Sequence, residues 1–268
     1  MDEIKRAVYD FWNTASCGES LYLNGSNPDD YLRHSSLRYN LEPFILDFAG
    51  FDQVKKKKVL EIGVGLGADH QKFCEAGAAL YGIDLTRRAV EHCQRRFRTF
   101  GLNSHLQVAD AENLPFSNES FDFVYSWGVL HHTPGTEKAV AEAFRVLKPR
   151  GTAKVMIYHK YSLVGFMLWL RYALFRLKPM TCMEEIYSRY LESPGTKAYS
   201  ISEARELFRD FTAVDTKVVL THGDLLSSAV GQRHRGFFLQ VARVIWPRWV
   251  IRTFCKRFGL FMLITATK

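Results

Sequence analysis

None of the five cysteines (Cys17, Cys74, Cys93, Cys182, Cys255) stands in a C-x-x-C pair, and their number is odd. That leaves little basis for a disulfide framework or a structural zinc, and predicts reduced thiols in a cytosolic compartment. No basic-then-apolar segment precedes Tyr9, so no secretory signal is expected. The near-apolar run 163–177 is interrupted by Arg171 and Arg176; it is too short and too charged to span a bilayer. The adjacent His131 and His132 have no carboxylate or third histidine at ligand spacing, so no metal site is expected. Acidic residues are missing altogether after Asp224.

That last absence locates the charge. Residues 1–160 hold 20 Lys+Arg against 20 Asp+Glu, whereas residues 161–268 hold 16 against 8. The net charge of +8 therefore belongs to the C-terminal part, where an anionic surface or substrate can be met. The lysine run 55–58 reads as a solvated loop. With 268 residues, 47% of them hydrophobic, the chain can bury a full core as one domain with elaborations or a domain plus a lid.

The rest is organised around residues 58–84. A short apolar run (Val59, Leu60, Ile62) enters a turn holding Gly63, Gly65 and Gly67; a helical segment follows, then a second strand ending on Asp84. Glycines at a strand-to-helix turn let a ligand approach the backbone, and an acid closing the next strand is placed to grip ribose hydroxyls. The spacing is Glu61-x-Gly63-x-Gly65-x-Gly67 rather than G-x-G-x-x-G. An acid so near the ligand suits a cofactor carrying an ammonium group better than one carrying a pyrophosphate there.

This pattern resembles motif I and the second-strand acid of class I S-adenosylmethionine-dependent methyltransferases, and later stations match in turn. The segment 109–116 (ADAENLPF) resembles the family's adenine-contacting stretch, which makes Asp110 the candidate acceptor from the adenine amino group, with Ala111 beside it. Residues 121–134 (FDFVYSWGVLHHTP) resemble its fourth motif, where the strand end, here Ser126 and Trp127, lies beside the methionyl portion. The stretch 146–151 (VLKPRG) matches the turn into strand five. The resemblance covers about residues 58–160 and implies S-adenosyl-L-methionine as cofactor, bound by Glu61, Gly63, Gly65, Gly67, Asp84, Leu85, Asp110, Ala111, Ser126 and Trp127.

Five strands alternating with helices, plus candidate strands at 211–220 and 260–266, predict an α/β, doubly wound (Rossmann-like) seven-stranded sheet with helical cap and lid insertions. The expected divisions are an N-terminal helical cap (1–50), the cofactor-binding core (51–160), a helical lid insertion (161–202) and a C-terminal completion of the sheet with a basic, aromatic helical insertion (203–268). Residues 2–12 read as an amphipathic helix with Ile4, Val8 and Phe11 or Trp12 on one face; 13–30 as a loop; 31–49 as helix interrupted near Pro43; and 203–210 as a helix capped by Ser200 or Ser202. Two readings of 163–177 stand side by side: a lid helix packed on both faces, or an amphipathic helix lying on a membrane surface. Residues 231–257 mix aromatic and basic side chains, among them Phe237, Phe238, Trp249 and Phe254, in a way that suits a lipid headgroup or an anionic partner; snorkelling arginines on an outer layer give the same pattern.

For chemistry, methyl transfer from a sulfonium is an in-line displacement that needs alignment and desolvation, with a base only where the acceptor holds a proton. The candidate bases are His131, His132 and His159. Tyr9, Trp12, Tyr22, His34 and Tyr199 are the candidate pocket residues, with the cap aromatics as a lid facing the sulfonium. The expected acceptor is a small molecule, hydrophobic or aromatic; the alternatives are a membrane-resident lipid or quinone, with peripheral contact through the basic C-terminal segments, and a non-catalytic scaffold. No nucleic-acid acceptor is expected, because Trp127-Gly128-Val129-Leu130 stands where an Asn-Pro-Pro-aromatic run would be.

Overall fold

The apolar run Lys58–Ile62 forms β1, buried on both faces as a central parallel strand must be. The computed structural model describes residues 1–23, 25–228 and 244–268. Around β1 the chain lays down β2 (Ala79–Asp84), β3 (His105–Val108), β4 (Phe121–Trp127), β5 (Leu147–Tyr158), β6 (Ala213–Val219) and β7 (Phe261–Thr267) in one sheet of order β3-β2-β1-β4-β5-β7-β6. The first five strands are parallel; β7 runs antiparallel to both β5 and β6. Strand order reverses between β1 and β4, and the crevice beyond their carboxyl ends is where such sheets bind ligands.

The helices are α1 (Glu3–Thr14), α2 (Glu19–Tyr22), α3 (Pro28–Leu41), α4 (Phe44–Phe48), α5 (Ala68–Glu75), α6 (Arg87–Phe100), α7 (Thr136–Val146), α8 (Leu163–Tyr172), α9 (Met183–Tyr190), α10 (Ile201–Leu207) and α11 (Arg248–Phe254). Local chemistry sets their ends. Thr86 Oγ1 accepts from the Ala89 amide to start α6, and Gly101 in the left-handed region stops it. Of the two serines proposed for α10, Ser200 is the cap, paired with Glu203 in a capping box.

Three expectations are corrected. The stretch 13–30 is not all loop: it holds α2 and the start of α3, where Asn27 and Asp30 form a capping box and Pro28 takes the first helical position. Those start signals sit inside a Ser/Gly/Asn-rich composition that disguised them. On α1, Val8 is buried but Ile4 is exposed, because that end of the helix docks through Lys5 instead. The helix expected over 163–177 ends at Tyr172 and passes through a 3-10 turn; α8 buries Val164, Gly165 and Leu168 while Phe166 faces outward, so it is not packed on both faces. Phe237 and Phe238 lie outside the described residues.

Packing follows from the sheet. Leu60, Ile62, Val124 and Val155 face α7 and α10 on one side. On the other, Phe73 of α5 meets Tyr125 with ring centroids 5.0 Å apart and Phe123 at 6.1 Å. Burying each such side chain contributes about 1.5–3 kcal/mol, which fixes α5, and with it the glycine turn, against the sheet. A third cluster, including Met156, Tyr187 and Leu263, seats α8 and α9.

Candidate active site

β1 ends in three glycines with positive φ, Gly63 (85°), Gly65 (48°) and Gly67 (75°), so the turn is held in a conformation other residues rarely adopt. A Cβ on Gly63 would come within 2.1 Å of Val129 Cγ2. One on Gly65 would meet no protein atom within 4 Å, because the space in front of it is an open cavity. That cavity measures about 360 Å³ and runs from the glycine turn, Asp84 and Asp110 to Trp12, Trp127 and Tyr158. Its first half is a cradle that a backbone-hugging ligand fills, so the residues present fit an adenosyl cofactor.

Asp84 closes β2. Its Oδ1 accepts from the amide (2.9 Å) and hydroxyl (2.9 Å) of Thr86, and its Oδ2 from the Gly65 amide (3.2 Å). Burial raises its pKa, and those three donors work against the rise. A carboxylate has about four acceptor positions, so one remains for a ribose hydroxyl. Asp110, after β3, accepts from the Glu112 amide (2.9 Å) and from Lys5 Nζ (2.7 Å), and Lys5 also donates to Glu112 (2.9 Å). Burial opposes the Lys5 ammonium, but these two carboxylates outweigh it and raise its pKa. α1 is thereby clamped over the Asp110 end of the cavity.

Glu61 is buried on β1 and lines the cavity. Burial, with Asp69 and Asp84 beside it, raises its pKa well above the carboxylate range, and burial holds His70 down to about 3. His70 Nδ1 lies 2.8 Å from Glu61 Oε2 and His70 Nε2 lies 2.7 Å from Ser104 Oγ, while Ser104 donates to the Leu80 carbonyl (3.0 Å). This chain ties the glycine turn to α5 and to the loop before β3.

The ionised acid of the region is Asp69, which the sequence did not single out. Arg38 grips it through Nε (3.0 Å) and Nη2 (2.6 Å), and the hydroxyls of Tyr39 (2.9 Å) and Tyr125 (2.9 Å) complete four donors. Burial works against the carboxylate, yet these partners lower its pKa. Buried Arg96 was also missed: it donates to Gln71 Oε1 (2.7 Å), the Leu66 carbonyl (3.3 Å), the Tyr31 carbonyl (3.3 Å) and Ser35. Arg38 and Arg96 thus pin α3 onto the glycine turn from two sides. The signal for Arg96 was legible, since it shares the apolar face of α6 with Ala89, Cys93 and Phe97.

At the far end of the cavity stand Trp12, Glu42, Trp127, His132, Tyr158 and Glu192. Tyr158 donates to Glu192 Oε2 (2.6 Å), which lies 3.4 Å from His132 Nε2. His132 Nδ1 is 3.0 Å from Thr196 Oγ1, whose own proton goes to the Ser193 carbonyl (2.6 Å). Ser193 Oγ is the second neighbour of Nδ1 (2.9 Å), and Nε2 faces the Glu192 carboxylate. Burial pushes Glu42 up to about 7, although Arg38 pulls it down.

The expected residues divide clearly. Glu61, Gly63, Gly65, Gly67, Asp84, Leu85, Asp110, Ala111 and Trp127 line the cavity, as do Trp12, Tyr22, His34 and His132. Ser126 does not; fully buried, it donates to the Ile62 carbonyl (3.1 Å) and joins β4 to β1. His131 is buried behind His132, its ring 4.0 Å from that of Tyr158, and burial drives its pKa well down. His159 lies beside Gly259, outside the cavity, and Tyr9 is also outside it. Tyr199 packs on the α7–α10 side of the sheet and borders a separate depression. Among the described residues, no cluster of three or more His, Cys, Asp or Glu is arranged to hold a metal.

A seven-stranded sheet of this order, with glycines after β1 and acids closing β2 and following β3, has the architecture of class I S-adenosylmethionine-dependent methyltransferases. Residues 60–155 match the family described as Methyltransferase domain, so the chain carries a methyltransferase domain of that class. Over 101 residues it is 40% identical to phthiotriol/phenolphthiotriol dimycocerosates methyltransferase 1 of Mycobacterium ulcerans, covering 37% of this chain and 36% of that protein. Over 150 residues it is 29% identical to the demethylmenaquinone methyltransferase of Tropheryma whipplei, covering 55% of this chain and 62% of that protein. The matches thus span less than two thirds of the length of either relative. A solved S-adenosylmethionine-dependent methyltransferase from Thermotoga maritima is similar with a TM-score of 0.50 at 21% identity, covering 87% of this chain and 97% of that one, a likeness of fold.

Proposed function

We propose that the protein transfers a methyl group from S-adenosyl-L-methionine to a small, apolar or aromatic acceptor that carries an ionisable proton. The observation that carries this reading is the cavity joining a glycine-and-carboxylate cradle at one end to an aromatic chamber that includes the His132 imidazole at the other. Bound in the cradle, the cofactor supplies an activated methyl on a sulfonium. Gly63 and Gly65 give it room, Asp84 takes the ribose, and the Asp110 segment takes the purine edge. Trp127, whose ring lies 5.8 Å from the Arg38 guanidinium, walls the passage between the two halves.

At the acceptor end Trp12, Trp127 and Tyr158 exclude water and present ring faces and edges to an apolar body. His132 takes the acceptor's proton, and Glu192, 3.4 Å from its Nε2, offsets the imidazolium charge that results. The relatives named for demethylmenaquinone and for phthiotriol dimycocerosates support an acceptor outside the nucleic acids and proteins.

The alternative of a membrane-resident acceptor is favoured by one observation: Val164, at the start of the outward-facing α8, lines the same cavity. Incubation with methyl-labelled cofactor and, separately, a lipid extract and a panel of water-soluble phenols tests both readings. Label in the organic phase from the lipid extract alone supports the membrane acceptor; label on the phenols supports the soluble one. Label in neither, with cofactor binding intact, overturns methyl transfer to this acceptor class.

A further inference from the structure

The flank that carries α8 and α11 displays apolar side chains that nothing among the described residues covers. After α8 the tip 174–180 holds Phe175 (77% exposed), Leu177 (91%) and Met180 (94%), and α11 adds Trp249 (73%) and exposed Phe254. The tip is nonetheless ordered: Trp169 Nε1 donates to the Thr181 carbonyl (3.1 Å), Lys178 N donates to the Ala173 carbonyl (2.9 Å), and Tyr172 stacks on Tyr190 at 4.0 Å. Leu177 sits at φ 57°, a left-handed conformation that leucine rarely takes, and it is among the most exposed apolar side chains described. A monomer ordinarily does not display large apolar side chains in this way without something to cover them.

Charge indicates what covers it. Arg171, Arg176 and Lys178 surround the tip, and Arg252, Lys256 and Arg257 surround the α11 side, all exposed. The nearby acids are engaged: Glu184 pairs with Lys160 (2.9 Å) and Glu185 with Arg189 (2.9 Å). Cations interleaved with outward aromatic and aliphatic side chains suit an anionic lipid interface, where the rings enter the headgroup layer and the cations meet phosphates. Among the described residues no helix is long and apolar enough to cross a membrane, so contact through these elements would be peripheral.

Asp224 joins this flank to the cavity. Its Oδ1 accepts from the Val164 amide (3.3 Å), its Oδ2 from the Thr221 (2.8 Å) and Leu260 (2.9 Å) amides, and its carbonyl from Trp246 Nε1 (2.9 Å). One buried residue therefore anchors the start of α8 through its carboxylate and the segment leading into α11 through its backbone carbonyl. Val164, Thr221 and His222, around that anchor, also line the acceptor end of the cavity. We propose that this flank docks on the surface of a bilayer containing anionic phospholipid and that the acceptor enters from the bilayer at the Val164–His222 end. Docking stands independently of methyl transfer; the delivery of an acceptor rests on it.

The test is co-sedimentation of the full chain with phosphatidylcholine vesicles, with and without about one third phosphatidylglycerol. The expected result is pelleting with the anionic vesicles, weakened as salt is raised. The triple variant Phe175→Ser, Leu177→Asn, Met180→Gln should bind about tenfold more weakly or worse, since asparagine keeps the left-handed turn while the inserted surface is lost. Arg171→Gln with Arg176→Gln should weaken binding to anionic vesicles only. A full chain that stays in the supernatant at low salt, or a triple variant that pellets like the parent, overturns the proposal; so does retention on transfer RNA without vesicle binding. Calorimetric titration with S-adenosylhomocysteine controls for folding in each variant. Loss of that signal in the parent, with vesicle binding kept, removes the methyl-transfer reading and leaves the docking face standing.

Discussion

The two ends of the cavity are built by different means. The proposed cofactor end comes from strand ends that follow one another in sequence, and its key groups are glycine backbone and two carboxylates. The proposed acceptor end draws on α1, α3, β4, β5 and the loop after α9, and its key groups are side chains that meet only in three dimensions. The first kind of site tolerates drift in everything but a few positions; the second can change its ligand through substitutions scattered along the chain. A domain family can therefore share a cofactor while its acceptors diverge.

The contrast can be broken most sharply at His132. If the acceptor end carries proton transfer and the cofactor end does not, His132→Ala should lower kcat by about 10²–10⁴-fold. S-adenosylhomocysteine affinity should stay unchanged, and a loss of both together would mean the two ends are not separable. Next in size is Arg38→Met. It leaves the buried Asp69 carboxylate without its cation and should cost about 3–5 kcal/mol in urea unfolding, because that pair fastens α3 to α5. A cost under about 1 kcal/mol would put the cap outside the cooperative fold.

The smallest effect sharpens the join between the halves. His34 borders the cavity with Nδ1 accepting from Arg96 (3.3 Å), and burial, with Arg96 and Arg38 nearby, lowers its pKa from 6.5 to about 3. A lowered histidine pKa gives stability that is present above about pH 6.5 and lost as pH falls toward 3. His34→Gln should therefore remove a dependence approaching about 1.4 kcal/mol per pH unit over that window. Parent and variant curves that stay parallel between pH 6 and pH 4 would mean His34 is protonated in the folded state.

The same contrast accounts for what the sequence disclosed. Gly63, Gly65, Gly67, Asp84 and Asp110 were legible because a turn, a strand end and their spacing are local facts. The doubly wound seven-stranded sheet followed from alternation and from the resemblance of the first five strands. Lys5 on Asp110, Arg38 on Asp69 and Glu192 beside His132 were not legible, since each partnership joins residues between 31 and 105 positions apart, through side chains that look like solvated charge when read singly. Of the three histidines proposed as bases, position along the chain did not discriminate. His131 and His132 are neighbours, yet the 3-10 turn Leu130–His132 aims one ring into the core and the other into the cavity. Glu61 was found for its place; its partner His70, in the first turn of α5, was not.

The central claim is that the strand ends converge to hold an adenosyl sulfonium, and calorimetric titration of S-adenosylhomocysteine into the parent chain and Asp84→Ala tests it most directly. Saturable one-to-one binding by the parent is expected, weakened about 10–100-fold by the substitution as charge-assisted hydrogen bonds are lost, with the thermal unfolding curve retained. No heat of binding with the parent, or equal affinity in both proteins, would contradict the account.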